Sequence, residues 1–279
     1  MKINRLNRVE LLLPAERIDS AIAAFSALLG IAMEPARLLA DVQVKSSVCW
    51  EAGIEIFGPG GPDSVLHALL EVRGREGAIG PVVWEVENID DARAHLQGQG
   101  FGIQYEFVHE NGSRQLSLDA ADCFGYTLTF LEQPAGPPQP VPGSKARFKR
   151  LNRVELLLPA QDLQPAVDLF SRLLNVRIAP LEYMPEHHVL TTTCWEAGFE
   201  LFGPGDAESS LLPLLEQRGQ PGTVGPIVWE VEDIARMREH ALSLGHQVVY
   251  EFDQGGRRQF YLGAGTLFGY TVTFLQYLA

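Results

Sequence analysis

A long internal repeat constrains the fold of this chain more than any other feature of its sequence. The stretch RLNRVELLLPA begins at Arg5 and begins again, letter for letter, at Arg150. Two further pairs of segments repeat in the same order, CWEAGIEIFGPG at 49–60 with CWEAGFELFGPG at 194–205, and FGYTLTFL at 124–131 with FGYTVTFL at 268–275. Self-similarity over so long a period indicates that a structural unit was duplicated. Because a segment used twice inside a chain is structure, we do not expect the basic start MKINRLNRV to be a leader peptide.

The repeat also sets the predicted domain boundaries. In this chain of 279 residues, the two copies correspond to domains at 1–134 and 149–279. The stretch between them, at 135–148, is rich in proline, which favours a stiff, extended linker. The chain has enough apolar residues for one large or two medium cores.

Composition and charge exclude several kinds of partner. Hydrophobic residues make up 46% of the chain and the formal net charge is −13. We therefore expect a soluble globular protein without the basic surface that nucleic acids and anionic membranes require. No apolar run approaches the roughly 18 residues that span a bilayer. The 3 cysteines are too few and too scattered for a disulfide framework, which favours a reducing, cytoplasmic location.

Within each copy the hydrophobic pattern alternates between the period of a strand and the period of a helix. In the first copy NRVELLLP predicts a strand, and ERIDSAIAAFSALLG predicts an amphipathic helix that ends at Gly30. VQVKSSVCWEAG and IEIFGP predict a hairpin that turns at 51–53. After a short helix in DSVLHALLEVRG the order repeats, with a strand in VVWEVEN, a helix in DDARAHLQGQG, and strands in IQYEF, RQLSL and YTLTFLE. The pattern predicts two such modules in each copy.

The order of these elements resembles a known superfamily. Together with the motifs ELLLPA, AFSALLG, GPVVWEVENIDDARAHL and DCFGYTLTFLEQ, it is similar to the vicinal oxygen chelate superfamily of glyoxalases, bleomycin-resistance proteins and extradiol dioxygenases, and most of all to methylmalonyl-CoA epimerase. The resemblance covers nearly all of both copies. It implies an α+β fold in which four βαβββ modules form two tandem glyoxalase-like domains with concave sheet clefts. A homodimer is a further implication, because modules are exchanged between chains in this superfamily.

The same resemblance implies a metal centre, most of whose ligands this sequence lacks. The superfamily's ligands, typically His, Glu or Gln, His and Glu, fall on Arg8, Glu55, Pro81 and Thr129, and in the second copy on Arg153, Glu200, Pro226 and Thr273. Arginine stays protonated and the side chain of proline has no donor atom, so one ligand of the four survives. His187 and His188 are neighbours in an expected strand, where they would face opposite sides. We predict no bound metal and no other cofactor.

Period-two parity predicts a charged face for each cleft. The predicted residues of the first cleft are Arg8, Glu10, Glu55, Glu85, Thr127 and Thr129, and those of the second are Arg153, Glu155, Glu200, Glu230, Thr271 and Thr273. We expect Arg8 to take the place of the metal cation and to pair with Glu55. At least one of the three carboxyl groups should then have a raised pKa, because burial and mutual repulsion both disfavour its ionisation.

Carboxyl groups whose pKa values are separated suit general acid–base catalysis. One prediction is therefore a metal-independent epimerase, isomerase or lyase that acts beside the carbonyl of a small carbonyl or acyl compound. Its candidate catalytic residues are Glu10, Glu55, Glu85, Glu155, Glu200 and Glu230, and its candidate substrate-binding residues are Arg8, Arg153, Thr129 and Thr273. The substrate and the choice of base stay open. The alternatives are a non-catalytic protein that sequesters a small molecule, as bleomycin-resistance proteins do, and a purely structural pairing of the arginine with its glutamate.

Two further pairs of residues recur in the CWEAG motif of both copies. Trp50 and Trp195 lie at strand positions expected to face the core, so we predict that they pack there, with stacking on a ligand as the alternative. The alternation of the strand places Cys49 and Cys194 on the face of the cleft. No histidine recurs beside them in both copies to activate the thiol as a nucleophile.

Two arginines precede the strands QLSL and QFYL. Arg114 and Arg258 are candidate contacts for an anionic group, such as a carboxylate or the phosphate of CoA. Solvated strand ends are the alternative interpretation of both positions.

Overall fold

The computed structural model describes residues 1–74, 76–109, 112–133, 141–218 and 224–278. The strands of the first copy are β1 (Ile3–Leu12), β2 (Arg37–Leu39), β3 (Val44–Cys49), β4 (Ile54–Pro59), β5 (Ile79–Val86), β6 (Ile103–Val108), β7 (Arg114–Leu118) and β8 (Leu128–Glu132). Its helices are α1 (Ile18–Leu29), α2 (Leu66–Arg73) and α3 (Ile89–Gly98). No helix in the described ranges is long and apolar enough to cross a membrane.

The second copy repeats these elements in the same order. Its strands are β9 (Arg150–Leu157), β10 (Glu182–Met184), β11 (Val189–Cys194), β12 (Phe199–Pro204), β13 (Val224–Glu230), β14 (Val248–Gln254), β15 (Arg257–Leu262) and β16 (Val272–Tyr277). Its helices are α4 (Ala160–Leu174), α5 (Leu211–Arg218) and α6 (Ile234–Ser243). The elements predicted from periodicity are confirmed, including the end of α1 at Gly30, whose φ of 69° is left-handed.

The βαβββ module implies a strand at β2 and β10, but the sequence pattern did not locate either one. Each has 3 residues, too few for an alternating pattern to show. All of the side chains of β2 are exposed, so burial leaves no mark on its sequence either.

The strands form two eight-stranded sheets with the same topology. Their orders are β2-β3-β4-β1-β5-β8-β7-β6 and β10-β11-β12-β9-β13-β16-β15-β14. In each half of a sheet, the first strand of a module pairs in parallel with its last strand, as β1 does with β4 and β5 with β8. The other two strands of the module follow in antiparallel pairs. The α+β fold of four βαβββ modules in two tandem glyoxalase-like sheets is therefore confirmed.

The chain folds into two compact units that regroup the halves of the repeat. The first contains 1–7, 80–137 and 153–224, and the second contains 8–79, 138–152 and 225–279. Each unit thus takes one module from each sequence copy. The boundaries 1–134 and 149–279 follow the duplication and stay a prediction about domains. Residues 134–140 of the chain, which include part of the predicted linker, lie outside the described residues.

Aromatic side chains form the centre of each unit's core. In the first unit Trp84 lies 6.1 Å from Phe199 and 6.3 Å from Phe130, between ring centroids. In the second, Trp229 lies 6.4 Å from Phe274. Both tryptophans are fully buried.

The polar atoms of these core aromatic residues are satisfied by backbone carbonyls. The indole N–H of Trp84 donates to Ala197 O at 2.7 Å, and that of Trp229 donates to Ala52 O at 2.8 Å. Because a buried donor without a partner is costly, these bonds fix where each indole can lie. Their acceptors belong to the turns between β11 and β12 and between β3 and β4, so the cores also hold these two turns in place.

Candidate functional site

The first candidate site lies in the second compact unit, on neighbouring strands β1 and β4. These strands pair in parallel with Glu10 opposite Glu55. Arg8 precedes Glu10 by two residues, so period two places the three side chains on one face of the sheet. The other face carries Val9 and Leu11, which are fully buried. The predicted parity of β1 is therefore confirmed.

Arg8 forms two ion pairs on this face. Its Nε lies 3.0 Å from Glu55 Oε2, and its Nη2 lies 2.7 Å from Glu10 Oε1. The residue exposures are 4% for Arg8 and 8% for Glu10, so water screens this pairing poorly. The predicted pairing of Arg8 with Glu55 is confirmed, and Glu10 joins it.

Two further side chains complete the first cluster. Ser46 Oγ donates to Glu55 Oε1 at 2.5 Å, which leaves both oxygens of that carboxylate hydrogen-bonded. The guanidinium carbon of Arg8 lies 5.2 Å from the centroid of the Trp50 ring, within the range of a cation–π contact. We call Arg8, Glu10, Glu55, Ser46 and Trp50 the Arg8 cluster.

The second copy builds the same arrangement in the first compact unit. Arg153 Nε lies 2.9 Å from Glu200 Oε2, and its Nη2 lies 2.7 Å from Glu155 Oε1. Thr191 takes the place of the serine and donates to Glu200 Oε1 at 2.6 Å. The Trp195 ring centroid is 5.6 Å from the guanidinium carbon. Arg153, Glu155, Glu200, Thr191 and Trp195 form the Arg153 cluster.

One carboxyl group in each cluster has a strongly raised pKa, as predicted. Burial, followed by the negative charge of Glu55, raises the pKa of Glu10 to about 8, although Arg8 opposes the shift. Burial and the charge of Glu200 raise the pKa of Glu155 to about 8 in the same way. Burial lowers the pKa of Arg8, but its two carboxylate partners outweigh that effect and raise it above its ordinary value. The clusters therefore hold a fixed cation beside a carboxyl group that titrates near neutral pH.

The third predicted carboxylate of each copy has cationic partners of its own. In the first unit Glu85 Oε2 accepts from Arg5 Nε at 2.9 Å and from Asn7 Nδ2 at 3.2 Å. In the second unit, Glu230 accepts from Lys149 at 2.9 Å and Arg150 at 2.8 Å.

These partners change the electrostatic environment that was expected for the third carboxylate. Burial would raise the pKa of Glu230, but the hydrogen bonds from Lys149 and Arg150 outweigh it and lower that pKa. The sequence did not indicate this pairing, because flanking basic residues at the start of a strand look like solvated charges.

The threonines expected to bind substrate are buried. Thr129 is 1% exposed, and its hydroxyl lies 2.7 Å from that of Ser117. Thr273 is fully buried, and its hydroxyl has no hydrogen-bond partner among the described residues. Tyr261 stands opposite Thr273 in the β15–β16 register, where the first copy has serine. Their role in substrate binding stays a prediction.

The two strand-end arginines form exposed ion pairs. Arg114 contacts both oxygens of Asp90 at 2.7 and 2.8 Å, and Arg258 contacts Asp253 at 2.8 Å. These pairings compensate the positive charge that would attract an anionic group. They agree better with solvated strand ends than with a ligand contact.

The prediction for the two tryptophans was wrong. Trp195 is 51% exposed and Trp50 is only partly buried, so neither packs in the core. The β3–β4 hairpin register places Val48 opposite Glu55, and even-numbered side chains of β3 therefore share the face of Glu55. This register brings Ser46 and Trp50 to the site.

The same register corrects the parity assigned to the cysteines. Cys49 and Cys194 are buried, on the face of the hairpin opposite the clusters, and burial raises the pKa of both thiols. A thiolate nucleophile is therefore disfavoured at these positions.

Comparisons with known proteins bear on the fold. No protein-family model matches the sequence, and no curated protein matches it. Among solved structures, a mutant of 4-hydroxymandelate synthase from Streptomyces coelicolor superposes with a TM-score of 0.78 at 14% identity, over 99% of this chain and 93% of that chain. A Mn(II)-bound glyoxalase from Novosphingobium aromaticivorans gives a TM-score of 0.65 at 11% identity, over 100% and 83%. The halotolerant catechol dioxygenase BphC gives 0.64 at 15%, over 99% and 87%.

This chain has the vicinal oxygen chelate fold. The resemblance inferred from the motifs is confirmed at the level of architecture, since the three similar structures are a synthase, a glyoxalase and a dioxygenase of that fold. At identities of 11–15%, the similarity extends to the fold and not to the chemistry. The closer likeness to methylmalonyl-CoA epimerase stays a prediction.

The vicinal oxygen chelate fold implies a metal centre, but the donor atoms here do not fit one. Of the four carried-over positions in the first copy, Arg8 and Pro81 offer no lone pair from a side chain. Both oxygens of Glu55 are bonded to Arg8 and Ser46. In the part of the chain that is described, no three His, Cys, Asp or Glu side chains converge as a metal site. The residues present favour a fixed guanidinium at this position over a divalent ion.

The histidines that were expected in a strand lie elsewhere. His187 and His188 occupy the turn between β10 and β11, where His188 Nδ1 contacts Asp206 Oδ2 at 2.9 Å. Strand alternation was therefore the wrong reason to exclude these two histidines as metal ligands. Both histidines are partly exposed, and the pairing of His188 with Asp206 indicates a surface contact.

Proposed function

We propose that this protein is a metal-independent enzyme that moves a proton beside the carbonyl group of a small carbonyl or acyl compound. The observation that carries the proposal is the recurrence, in both copies, of a buried carboxyl group with a pKa of about 8 held against a buried arginine. A general acid or base is most effective when its pKa is near the working pH. An ordinary structural ion pair needs no carboxyl group in that range.

Glu10 and Glu155 are the acid–base residues in this proposal. With a pKa of about 8, about a tenth of each carboxyl group is ionised at pH 7, so both protonation states are available. The ionised form takes a proton from the carbon next to the carbonyl. The neutral form returns it: in an epimerase to the other face, once the deprotonated substrate has turned over in the site, and in an isomerase to another atom.

Arg8 and Arg153 supply the positive charge that such a reaction needs. Removal of a proton beside a carbonyl places negative charge on the carbonyl oxygen, and a fixed cation stabilises it without reorganisation. Glu55 and Ser46 hold Arg8 from one side, and Glu200 and Thr191 hold Arg153 in the same way. Glu55 and Glu200 thus serve to position the two arginines.

The proposal is tested by solvent exchange. Protein treated with EDTA is incubated in D₂O with acetophenone, with methylmalonyl-CoA and with a series of 2-oxo acids, and NMR follows deuterium incorporation next to the carbonyl. We expect exchange that persists after chelation and falls by about 10²- to 10⁴-fold in Glu10→Gln/Glu155→Gln. Glu85→Gln/Glu230→Gln is the matched control and should retain exchange. Exchange that requires added Mn(II) or Fe(II), or that survives the first double substitution, would contradict the proposal.

The partly exposed tryptophans support a second candidate function. Trp50 and Trp195 offer aromatic surface next to the clusters, which would also serve a protein that sequesters a small molecule. Saturable ligand binding with no exchange or turnover of any bound compound would favour that alternative.

A further inference from the structure

The four tryptophans of this chain fall into two classes that differ in exposure and in contacts. Trp84 and Trp229 are fully buried, and their indole N–H groups are hydrogen-bonded. Trp195 is 51% exposed and Trp50 is partly buried. Tryptophan is the largest apolar side chain, so leaving half of one in water forgoes burial that folding would otherwise use.

The exposed tryptophans stand on turns that the fold holds rigidly. Trp50 begins the turn at 50–53, where Ala52 O accepts the buried indole N–H of Trp229 and Gly53 O accepts Val9 N at 3.0 Å. Gly53 itself has a left-handed φ of 64°, which glycine adopts without strain.

The turn that carries Trp195 has equivalent anchors. Ala197 O accepts the indole N–H of Trp84, and Gly198 O accepts Val154 N at 3.1 Å. Large aromatic side chains on rigid supports lose little conformational entropy when a ligand stacks on them.

The charge beneath each ring indicates what kind of group would stack on it. The guanidinium below Trp50 already pairs with Glu10 and Glu55, and the one below Trp195 pairs with Glu155 and Glu200. Each positive charge is therefore compensated, so an anionic group gains little at the ring. A flat uncharged π system gains dispersion and burial from the indole.

We propose that Trp50 and Trp195 are specificity-determining residues that stack on an uncharged, planar conjugated carbonyl compound, of which an aryl ketone is the simplest example. The inference deepens the proposed function and rests on it, because it names the substrate class of the same two sites. A compound stacked on the face of either ring that points away from the guanidinium would lie at the edge of the Arg8 cluster or of the Arg153 cluster.

The experiment uses the indole N–H resonances of the full-length protein labelled with ¹⁵N. Acetophenone is titrated to millimolar concentrations, and cyclohexyl methyl ketone is the matched saturated control. We expect the resonances of Trp50 and Trp195 to shift saturably with acetophenone and much less with the control. Trp84 and Trp229 serve as internal references and should not move. Equal shifts with both ketones, or no shift at Trp50 and Trp195, would overturn the inference.

Variants assign the resonances and test the ring itself. Binding at an altered site is followed by the backbone amide resonances of its turn, at 50–53 or 195–198. Trp195→Phe and Trp50→Phe keep an aromatic surface and should raise the apparent Kd for acetophenone there by less than about threefold, whereas Trp195→Ala and Trp50→Ala should raise it by about tenfold. Unchanged resonances of Trp84 and Trp229 report that each variant is folded. If the alanine variants keep their affinity for acetophenone, the tryptophans do not bind the ligand and only cover the arginines.

The two proposals fail in different ways. Glu10→Gln/Glu155→Gln should abolish solvent exchange and leave the acetophenone-induced shifts in place. If the wild-type protein catalyses deuterium exchange in none of the compounds but the indole resonances shift with acetophenone, the acid–base function is wrong. The proposed ligand class then holds, and the protein is a binding protein. If exchange is seen only with saturated aliphatic substrates and the shifts are absent, the ligand class is wrong and the acid–base function stands.

Discussion

Arg8 shows how far a single residue can be interpreted from sequence. The family resemblance implied that it stands where a metal ligand is expected, and strand parity then predicted its pairing with Glu55. The ion pair is present at 3.0 Å. Which carboxylates gather around it did not follow. Glu85 shares the predicted face, yet it contacts Arg5 and Asn7. Parity gives the side of a strand and not the distance along it, so it cannot choose between neighbouring arginines.

The pKa of Glu10 leads to a prediction about stability and pH. The folded value of about 8 lies above the ordinary value of 4.5, so the folded protein retains a proton that the unfolded chain releases. The stability that this provides is complete below about pH 4.5 and is lost as the pH rises to about 8. Glu155 behaves alike. Urea denaturation at pH 5, 6.5 and 8 should therefore show the free energy of unfolding of Glu10→Gln/Glu155→Gln rising relative to that of the wild type, by roughly 3 kcal/mol for each of the two sites between pH 5 and pH 8.

An opposite case provides the control for that measurement. Hydrogen bonds from Arg114, followed by those from Arg93, lower the pKa of Asp90. Stability that comes from its ionised form is lost only at acid pH, so Asp90→Asn should leave the difference from wild type constant between pH 5 and 8. A wild-type profile parallel to that of the double glutamine variant would contradict the raised pKa.

At the scale of elements, the hairpin between β3 and β4 is where sequence reasoning failed. The parity of each strand was assigned separately, which put Trp50 in the core and Cys49 at the cleft. The hairpin register links the two strands, because Cys49 pairs with Ile54 and Val48 with Glu55. Once the turn length is fixed, the face of one strand determines the face of the other. The repeat and the periodicities predicted which elements exist, but not this register.

The two turns that accept hydrogen bonds from buried indole groups allow a prediction with an internal control. Trp229→Phe removes the indole donor to Ala52 O, and Trp84→Phe removes the donor to Ala197 O. Loss of one buried hydrogen bond of about 1 kcal/mol should speed local opening by about fivefold. Hydrogen–deuterium exchange should rise in peptides covering 48–56 in the first variant and 193–201 in the second. Equal acceleration of both turns in either variant would show global loosening instead.

The repeated FGPG motif has a reason that can be tested at Gly58. A Cβ atom there would lie 2.0 Å from Leu13 O, a backbone atom that cannot move away without shifting β1. At Gly98, near the end of α3, a Cβ atom would meet nothing within 4 Å. We expect Gly58→Ala to lower the free energy of unfolding by about 3 kcal/mol or more, by thermal denaturation. Gly98→Ala should be neutral or slightly stabilising, and similar losses in both variants would rule out the close contact as the cause.

At the scale of the whole molecule, the repeat predicted the modules but not how they are grouped. Both copies carry nearly the same motifs, so a first module can pack against a second module from either copy with equivalent contacts. Trp84 shows this ambiguity, since its hydrogen-bond acceptor is Ala197, whose counterpart Ala52 stands in an identical CWEAG turn. A sequence that repeats itself cannot distinguish the two groupings, because their local interactions are the same.

This equivalence predicts how one copy would behave alone. Residues 1–133 contain one module of each compact unit, so as a monomer they would leave the apolar surface around Trp84 uncovered. Two such chains can supply each other's missing module, with Trp84 of one donating to Ala52 of the other. We therefore expect the isolated copy to form a homodimer by size-exclusion chromatography with light scattering. Trp84→Arg should abolish this dimer, because it places an unpaired charge in a dry core. A stable, folded monomer of 1–133 would instead establish the copy as the folding unit, with the two compact units assembled only after each copy has folded.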